Sequence, residues 1–174
     1  MATPPLELSV AYAAPRRGVP SAASFRRWAA AALATARHGR PAELSLRIVG
    51  AREGRALNRH YRGKDYATNV LSFPVELPRG IDSPLLGDIV VCAPVVAREA
   101  REQHKPARDH FAHLAIHGVL HLLGFDHQDP RAAARMESLE ARILASLGIA
   151  DPYRARPVAS PRLRPRNARI RDIR

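Results

Sequence analysis

The stretch HGVLHLLGFDH, from His117 to His127, places the strongest constraint on how this chain folds. His117 and His121 are four residues apart inside an apolar run, a spacing that puts both side chains on one face of a helix, one turn apart. Gly124 follows the last apolar turn, where glycine commonly ends a helix in the left-handed conformation. The sequence therefore predicts a helix that carries two neighbouring imidazoles and ends at a glycine bend.

Two further histidines compete for the place of a third metal ligand. His113 lies on the same helical stripe, but at a rise of about 1.5 Å per residue it is about 12 Å from His121 along the helix axis. Ligands that bind one zinc ion at about 2.0–2.1 Å lie within a few Å of each other, so one straight helix cannot supply all three. A chain that bends back at Gly124 brings His127 across the helix face instead. We therefore expect His117, His121 and His127 to share one metal ion, with His113 nearby but not bound.

This ligand set predicts a catalytic metal site. Three neutral nitrogen ligands leave a fourth position for water, which is typical of catalytic rather than structural zinc. Zinc, one ion, is favoured because imidazole suits it, although nickel, copper and iron bind similar ligands. The stretch also approaches the H-E-x-x-H pattern of zinc proteases, in which the glutamate is the general base. Here that position is Gly118, which transfers no proton, so peptide hydrolysis is disfavoured.

The chain is strongly basic, with 28 Lys and Arg against 16 Asp and Glu and a net charge of +12. Residues 154–174 contribute eight Arg against one Asp, a net charge of +7, together with several prolines. Such a composition disfavours a packed core and predicts a flexible basic tail. The charge indicates a polyanionic partner, of which nucleic acid is the commonest.

Composition also predicts the compartment. The single cysteine, Cys92, excludes an internal disulfide and is typical of a reducing environment. No apolar run reaches about 18 residues, so a membrane span is not expected. The first residues lack the basic and long apolar segments of a secretory signal. We therefore expect a cytoplasmic protein that does not bind membranes.

Strand-like and helix-like segments alternate along the chain without a fixed repeat. This pattern predicts one α+β domain over residues 1–153, a small mixed sheet of about four strands packed with about five helices. The expected strands are residues 6–10, 44–49, 70–73 and 88–92, and the expected helices are residues 21–38, 51–61, 94–104, 108–123 and 130–147.

The histidine stretch resembles the metal motif of the YbeY family of single-strand-specific endoribonucleases. Further segments resemble the family in the same order, and the likeness extends over about residues 5–153. These segments are LNRHYRGKD (57–65), TNVLSFP (68–74), GDIVV (87–91), MESLE (136–140) and the residues from 147 to 153. One departure is Ala67, where the family often has proline, and the basic tail extends beyond the family core.

The resemblance implies a zinc-dependent nuclease that acts in maturation of bacterial ribosomal RNA, including the 3′ end of 16S rRNA, and in ribosome quality control. It implies single-stranded RNA and the ribosome, or its small subunit, as partners, and zinc on His117, His121 and His127. It also implies a functional role for Arg62, whose planar guanidinium binds phosphate bidentately. Lys64 adds attraction for phosphate, and Asp126 is a candidate to orient a ligand histidine or to form an ordinary turn.

Three functions stay open at this point. The first is the metal-dependent endoribonuclease, in which either activated water or the ribose 2′-hydroxyl attacks the phosphate. The second is a zinc protease, against which Gly118 argues. The third is a ribosome assembly factor that cuts no bond, in which a fourth protein ligand closes a structural zinc site.

Overall fold

The computed structural model describes residues 2–154 and follows the predicted alternation of strands and helices. The strands are β1 (Leu6–Ala13), β2 (Ala42–Val49), β3 (Val70–Pro74) and β4 (Leu85–Cys92). The helices are α1 (Ala22–Thr35), α2 (Ala51–Arg62), α3 (Ala93–Glu102), α4 (Ala107–Leu122) and α5 (Pro130–Ser146). The predicted α+β fold class is confirmed. Apart from Arg154, the predicted basic tail lies outside the described residues.

The four strands form one mixed sheet in the order β1-β2-β4-β3. β1 pairs parallel with β2, β2 pairs parallel with β4, and β3 pairs antiparallel with β4. β2 alternates buried and more exposed residues along most of its length, as expected for a strand whose faces differ in burial. The strand order places β3 at one edge of the sheet. α4 packs against β3, and Tyr61 of α2 contacts Phe73 of the same strand.

Helices cover the two faces of the sheet unequally. α1, α4 and α5 share the main core on one face, where the ring of Phe25 packs edge-to-face against Trp28 and Phe111. On the opposite face, Leu57 of α2 packs on a smaller cluster that includes Cys92. Cys92 is 2% exposed, as expected for a free cysteine that packs as a small apolar residue. The large core lies between the sheet and the helix that carries the histidines.

Two helices end earlier than the sequence predicts. α1 begins at Ala22, one residue after the expected start, and the side chain of Ser21 caps it by accepting the Ser24 backbone N–H. The helix ends at Thr35 rather than near residue 38. Arg37 takes a left-handed conformation with φ of 56°, which ends the helix before Gly39. α3 likewise ends at Glu102, and His104 has φ of 52°. In both cases a residue other than glycine makes the turn, a choice that glycine-based rules miss.

The packing brings α4, the segment of residues 124–127 that follows it, and the end of α2 together beside β3. The C-terminal half of α4 lies against the sheet next to β3, and α2 ends at Arg62 on the same side of the molecule. None of the helices in residues 2–154 combines the length and apolar character needed to cross a bilayer.

Candidate metal centre

α4 positions His117 and His121 on one helix face, as their spacing predicts. Their Nε2 atoms are 3.0 Å apart and their ring centroids 4.5 Å apart. Both side chains are half-buried, because α4 packs its apolar residues on the sheet and leaves this stripe at the margin of the core. Two ring nitrogens therefore face one another across a single turn of helix.

The glycine bend brings the third histidine to the pair. Gly124 has φ of 94°, and its N–H bonds the carbonyl of His121 at 3.0 Å, while the Phe125 N–H bonds the carbonyl of Leu120 at 3.0 Å. This pair of hydrogen bonds is the Schellman arrangement that ends helices at a left-handed residue. The ring of His127 then lies 5.7 Å from that of His117 and 5.1 Å from that of His121.

The three imidazoles fit a single zinc ion. One ring nitrogen from each lies within 4.8 Å of the other two. Tetrahedral ligands at about 2.0–2.1 Å from zinc are about 3.3 Å from each other, and the Nε2 atoms of His117 and His121 are already close to that spacing at 3.0 Å. Burial, followed by the neighbouring rings of His117 and His127, lowers the pKa of His121. The lowered pKa favours the neutral form of His121, which is the form that binds a metal.

A carboxylate that sequence reasoning missed lies behind His117. Glu140 of α5 has no exposed surface, and its Oε1 is 2.5 Å from His117 Nδ1. Its Oε2 is 2.9 Å from His113 Nε2 and also accepts a hydrogen bond from the Tyr153 hydroxyl. Burial by itself raises the pKa of Glu140, but the hydrogen bonds from His113, His117 and Tyr153 outweigh it and lower the pKa to about 2.

The sequence contains a signal for this carboxylate. On α5, Glu140 shares one face with the buried residues Met136, Leu139, Ile143 and Leu144. A glutamate inside an apolar helical stripe is buried only when it is paired. His113 is one of its partners, which agrees with the expectation that His113 lies near the site without joining the three-histidine set.

Arg62 lies at the mouth of the site. It is exposed at the end of α2, next to Gly63, which takes the left-handed position that ends the helix. Arg62 lines a cavity of about 450 Å³ together with His121 and His127. The remaining lining residues are Ser72, Pro74, Gly124, Phe125 and Asp126. A guanidinium and two of the candidate metal ligands therefore face the same open space.

The other two residues of interest have different positions. Lys64 is exposed and is not among the residues that line this cavity. Asp126 lines the cavity, and its carboxylate accepts the backbone N–H of His127 at 2.6 Å. The described contacts of Asp126 thus hold the backbone that carries His127, while Glu140 is the carboxylate bonded to a ligand ring.

Gly118 occupies a close contact between α4 and the sheet. A Cβ at this position would lie 3.0 Å from both Cδ1 and Cγ2 of Ile89 in β4. The position that carries the general base in H-E-x-x-H proteases therefore faces the apolar core here. A glutamate side chain would enter the core instead of the cavity.

Replacement of Gly118 by glutamate is expected to destabilise the protein without creating a protease. Overpacking against Ile89 and burial of an unpaired carboxyl group together cost about 3 kcal/mol or more in the free energy of unfolding. Gly39→Glu is the matched control, because a Cβ at Gly39 meets no atom within 4 Å. Urea unfolding of both variants measures the difference. A Gly118→Glu protein of native stability, or one that hydrolyses casein, would contradict this packing.

Comparison with known proteins identifies the family. The model of the family described as Endoribonuclease YbeY matches residues 18–148. The chain belongs to the YbeY family. Two curated relatives carry the name Endoribonuclease YbeY. The protein of Stenotrophomonas maltophilia is 62% identical over 152 residues, 85% of this chain and 93% of the relative. That of Alkalilimnicola ehrlichii is 62% identical over 154 residues, 87% of this chain and 93% of the relative.

A solved structure shares the fold of this YbeY-family chain. The solution structure of a Thermotoga maritima protein superposes with a TM-score of 0.54 and 21% identity, covering 85% of this chain and 99% of that protein. At this identity the likeness concerns the fold. The family assignment made from the sequence motifs is confirmed by the family model and the curated relatives.

Proposed function

We propose that this chain is a zinc-dependent endoribonuclease that cleaves single-stranded RNA during maturation of ribosomal RNA. The observation that carries the proposal is the convergence of three imidazoles, two of which line one open cavity together with Arg62. Membership of the YbeY family and the name of its curated relatives, Endoribonuclease YbeY, support the same reaction class. The 3′ end of 16S rRNA is the proposed target, with the small ribosomal subunit as the partner that presents it in the cytoplasm.

The three histidines are the proposed zinc ligands. His117 and His121 would hold the ion from α4, and His127 would hold it from the segment after the Gly124 bend. A bound zinc ion supplies Lewis-acid polarisation and lowers the pKa of water towards about 7. Among residues 2–154, no further His, Cys, Asp or Glu joins this three-histidine group. That donor set favours a catalytic ion over a structural one, because structural zinc sites normally have four protein ligands.

Arg62 is the proposed phosphate-binding residue. Its side chain is exposed at the cavity mouth, and its planar fork can form two hydrogen bonds to phosphate oxygens without losing its charge. A phosphodiester that enters the cavity would thus meet a fixed positive charge on one side and the ligand histidines on the other. Lys64, two residues after Arg62 in the sequence, adds longer-range attraction for the RNA backbone.

Asp126 and the basic tail have supporting roles in the proposal. The Asp126 carboxylate holds the backbone N–H of His127, which fixes the segment that carries the third ligand. Residues 154–174, with a net charge of +7, attract RNA without sequence preference by releasing counterions from phosphates.

An assay on the native chain tests the proposed function. One RNA is offered single-stranded and then annealed to its complement, with casein as a parallel substrate. We expect cleavage of the single strand, little cleavage of the duplex and none of casein. A chelator should abolish the cleavage, and added zinc should restore it. Cleavage that survives complete metal removal, or hydrolysis of casein without hydrolysis of RNA, would reject the proposal.

A further inference from the structure

We infer that Glu140 is the positioning residue that aims His117 at the metal, held in place by His113 and Tyr153. The inference concerns the proposed zinc site, so the role of Glu140 in zinc binding rests on the proposed function. It assigns a role to a buried carboxylate and to a tyrosine near the end of the described chain. Neither residue lies among the three-histidine set.

The position of Glu140 is determined by helix packing. It lies on the face of α5 that packs on α4 and the rest of the main core, and its side chain has no exposed surface. Burial of a carboxylate raises the free energy of the folded state unless hydrogen bonds replace those it made to water. Glu140 has three partners from two other segments, His113 and His117 on α4 and Tyr153 after α5. The partners therefore both stabilise the carboxylate and fix its orientation.

The two carboxylate oxygens have separate tasks. Oε1 lies 2.5 Å from His117 Nδ1, and Oε2 is hydrogen-bonded to His113 Nε2 and to the Tyr153 hydroxyl. A nitrogen-to-oxygen contact of this length is a hydrogen bond, and a carboxylate surrounded by three such partners accepts from them, so His117 Nδ1 carries the hydrogen. In a neutral imidazole the lone pair is then on Nε2. That is the atom 3.0 Å from His121 Nε2, on the side of the candidate metal site.

The hydrogen bond from His117 to Glu140 is of the kind that metal-binding histidines commonly make with a carboxylate. The hydrogen bond fixes the tautomer and the ring angle, and the nearby negative charge increases the basicity of the ligand nitrogen. Within residues 2–154 it is the carboxylate hydrogen-bonded to a ring of the three-histidine set. His113 and Tyr153 occupy the second oxygen, so Glu140 cannot rotate away without losing both contacts.

The geometry disfavours a second metal ion at this cluster. His113, His117 and Glu140 also place ligand atoms within 4.8 Å of one another. However, the two nitrogen-to-oxygen distances of 2.9 Å and 2.5 Å are those of direct hydrogen bonds. An ion between these atoms would have to push the pairs apart inside a packed core. The cluster is therefore a support for the three-histidine site.

The first test uses the native, metal-free full chain. Long-range proton–nitrogen NMR correlations distinguish which nitrogen of each imidazole carries the hydrogen. The inference requires His117 to be the Nδ1–H tautomer at neutral pH. An Nε2–H tautomer of His117 would overturn it, and this measurement needs no variant and no activity.

The second test compares zinc affinity between variants by competition with a chelator. Glu140→Gln keeps the size of the side chain but removes the charge, and we expect the zinc dissociation constant to rise about 10- to 100-fold. Glu137→Gln is the matched control, because Glu137 is exposed on the same helix and belongs to neither group of candidate ligands. It removes the same charge from α5, and we expect it to leave the dissociation constant unchanged.

The outcomes separate the inference from the proposed function. If Glu140→Gln folds and binds zinc within about twofold of the native chain, Glu140 only ties α5 to α4 and the inference is wrong. If Glu140→Gln does not fold, Glu140→Asp replaces it under the same twofold criterion, and an Nε2–H tautomer of native His117 overturns the inference whatever the variants show. A native chain that neither binds zinc nor cleaves RNA rejects the proposed function, whereas the His117 tautomer still reports on Glu140.

Discussion

Replacement of His121 by alanine is expected to remove both the bound zinc and RNA cleavage. His121 is the central ligand of the proposed site, since its ring centroid is 4.5 Å from that of His117 and 5.1 Å from that of His127. Two remaining imidazoles form an incomplete set, so the loss of affinity should exceed the roughly 100-fold that removal of an outer-shell partner can cost. Metal analysis of the purified variant and cleavage of a single-stranded RNA measure the two losses.

His60→Ala is the matched control for this prediction. His60 is exposed on α2, packs against Tyr61, and does not line the cavity. The control should keep one zinc ion and native cleavage, so that a loss in His121→Ala cannot be attributed to removal of any histidine. Cleavage by a metal-free His121→Ala protein, prepared in parallel with the control, would contradict the metal-dependent mechanism.

Replacement of Arg62 by glutamate is expected to abolish cleavage while the zinc stays bound. The substitution places a negative charge where the phosphate is proposed to lie, and Arg62 is not a member of the three-histidine group. Loss of one preorganised charge-stabilising group lowers turnover by about 100- to 1,000-fold. Arg62→Lys should retain part of the activity, because a lysine keeps the charge but not the bidentate fork. Steady-state cleavage rates and zinc content of each variant give the comparison.

Arg52→Glu controls for the change in total charge. Arg52 is exposed near the start of the same helix and lies outside the cavity lining. Both substitutions change the net charge equally, so general attraction for RNA falls by a similar amount. If the two variants lose cleavage equally, Arg62 acts only through bulk charge and its proposed contact with phosphate is wrong.

Local signals were sufficient for most elements and for the three-histidine geometry. The Ser21 cap, the left-handed Gly63 and Gly124, and the four-residue spacing of His117 and His121 all act within a few residues of the chain. Such short-range rules depend on backbone sterics and helix periodicity, which are encoded locally. The strand order β1-β2-β4-β3 depends on contacts distant in sequence, and no local pattern specified it.

Glu140 and Arg62 also depend on contacts between residues distant in sequence. Glu140 is 23 residues from His117 in sequence, and only the packing of α5 on α4 brings them together. Arg62 had no spacing argument of its own, and its importance came from the family resemblance alone. The fold places it at the cavity because α2 ends beside the edge strand. Tertiary packing, rather than any sequence pattern, determines both positions.

X-ray absorption at the zinc edge of the full-length native protein tests the central claim most directly. We expect one zinc ion per chain, with three imidazole nitrogens at about 2.0–2.1 Å and one oxygen ligand that no histidine supplies. His121→Ala supplied with the same amount of zinc should not show the three-imidazole pattern. A native protein that binds no zinc, or whose ion has fewer than three imidazole neighbours, would contradict the shared site of His117, His121 and His127.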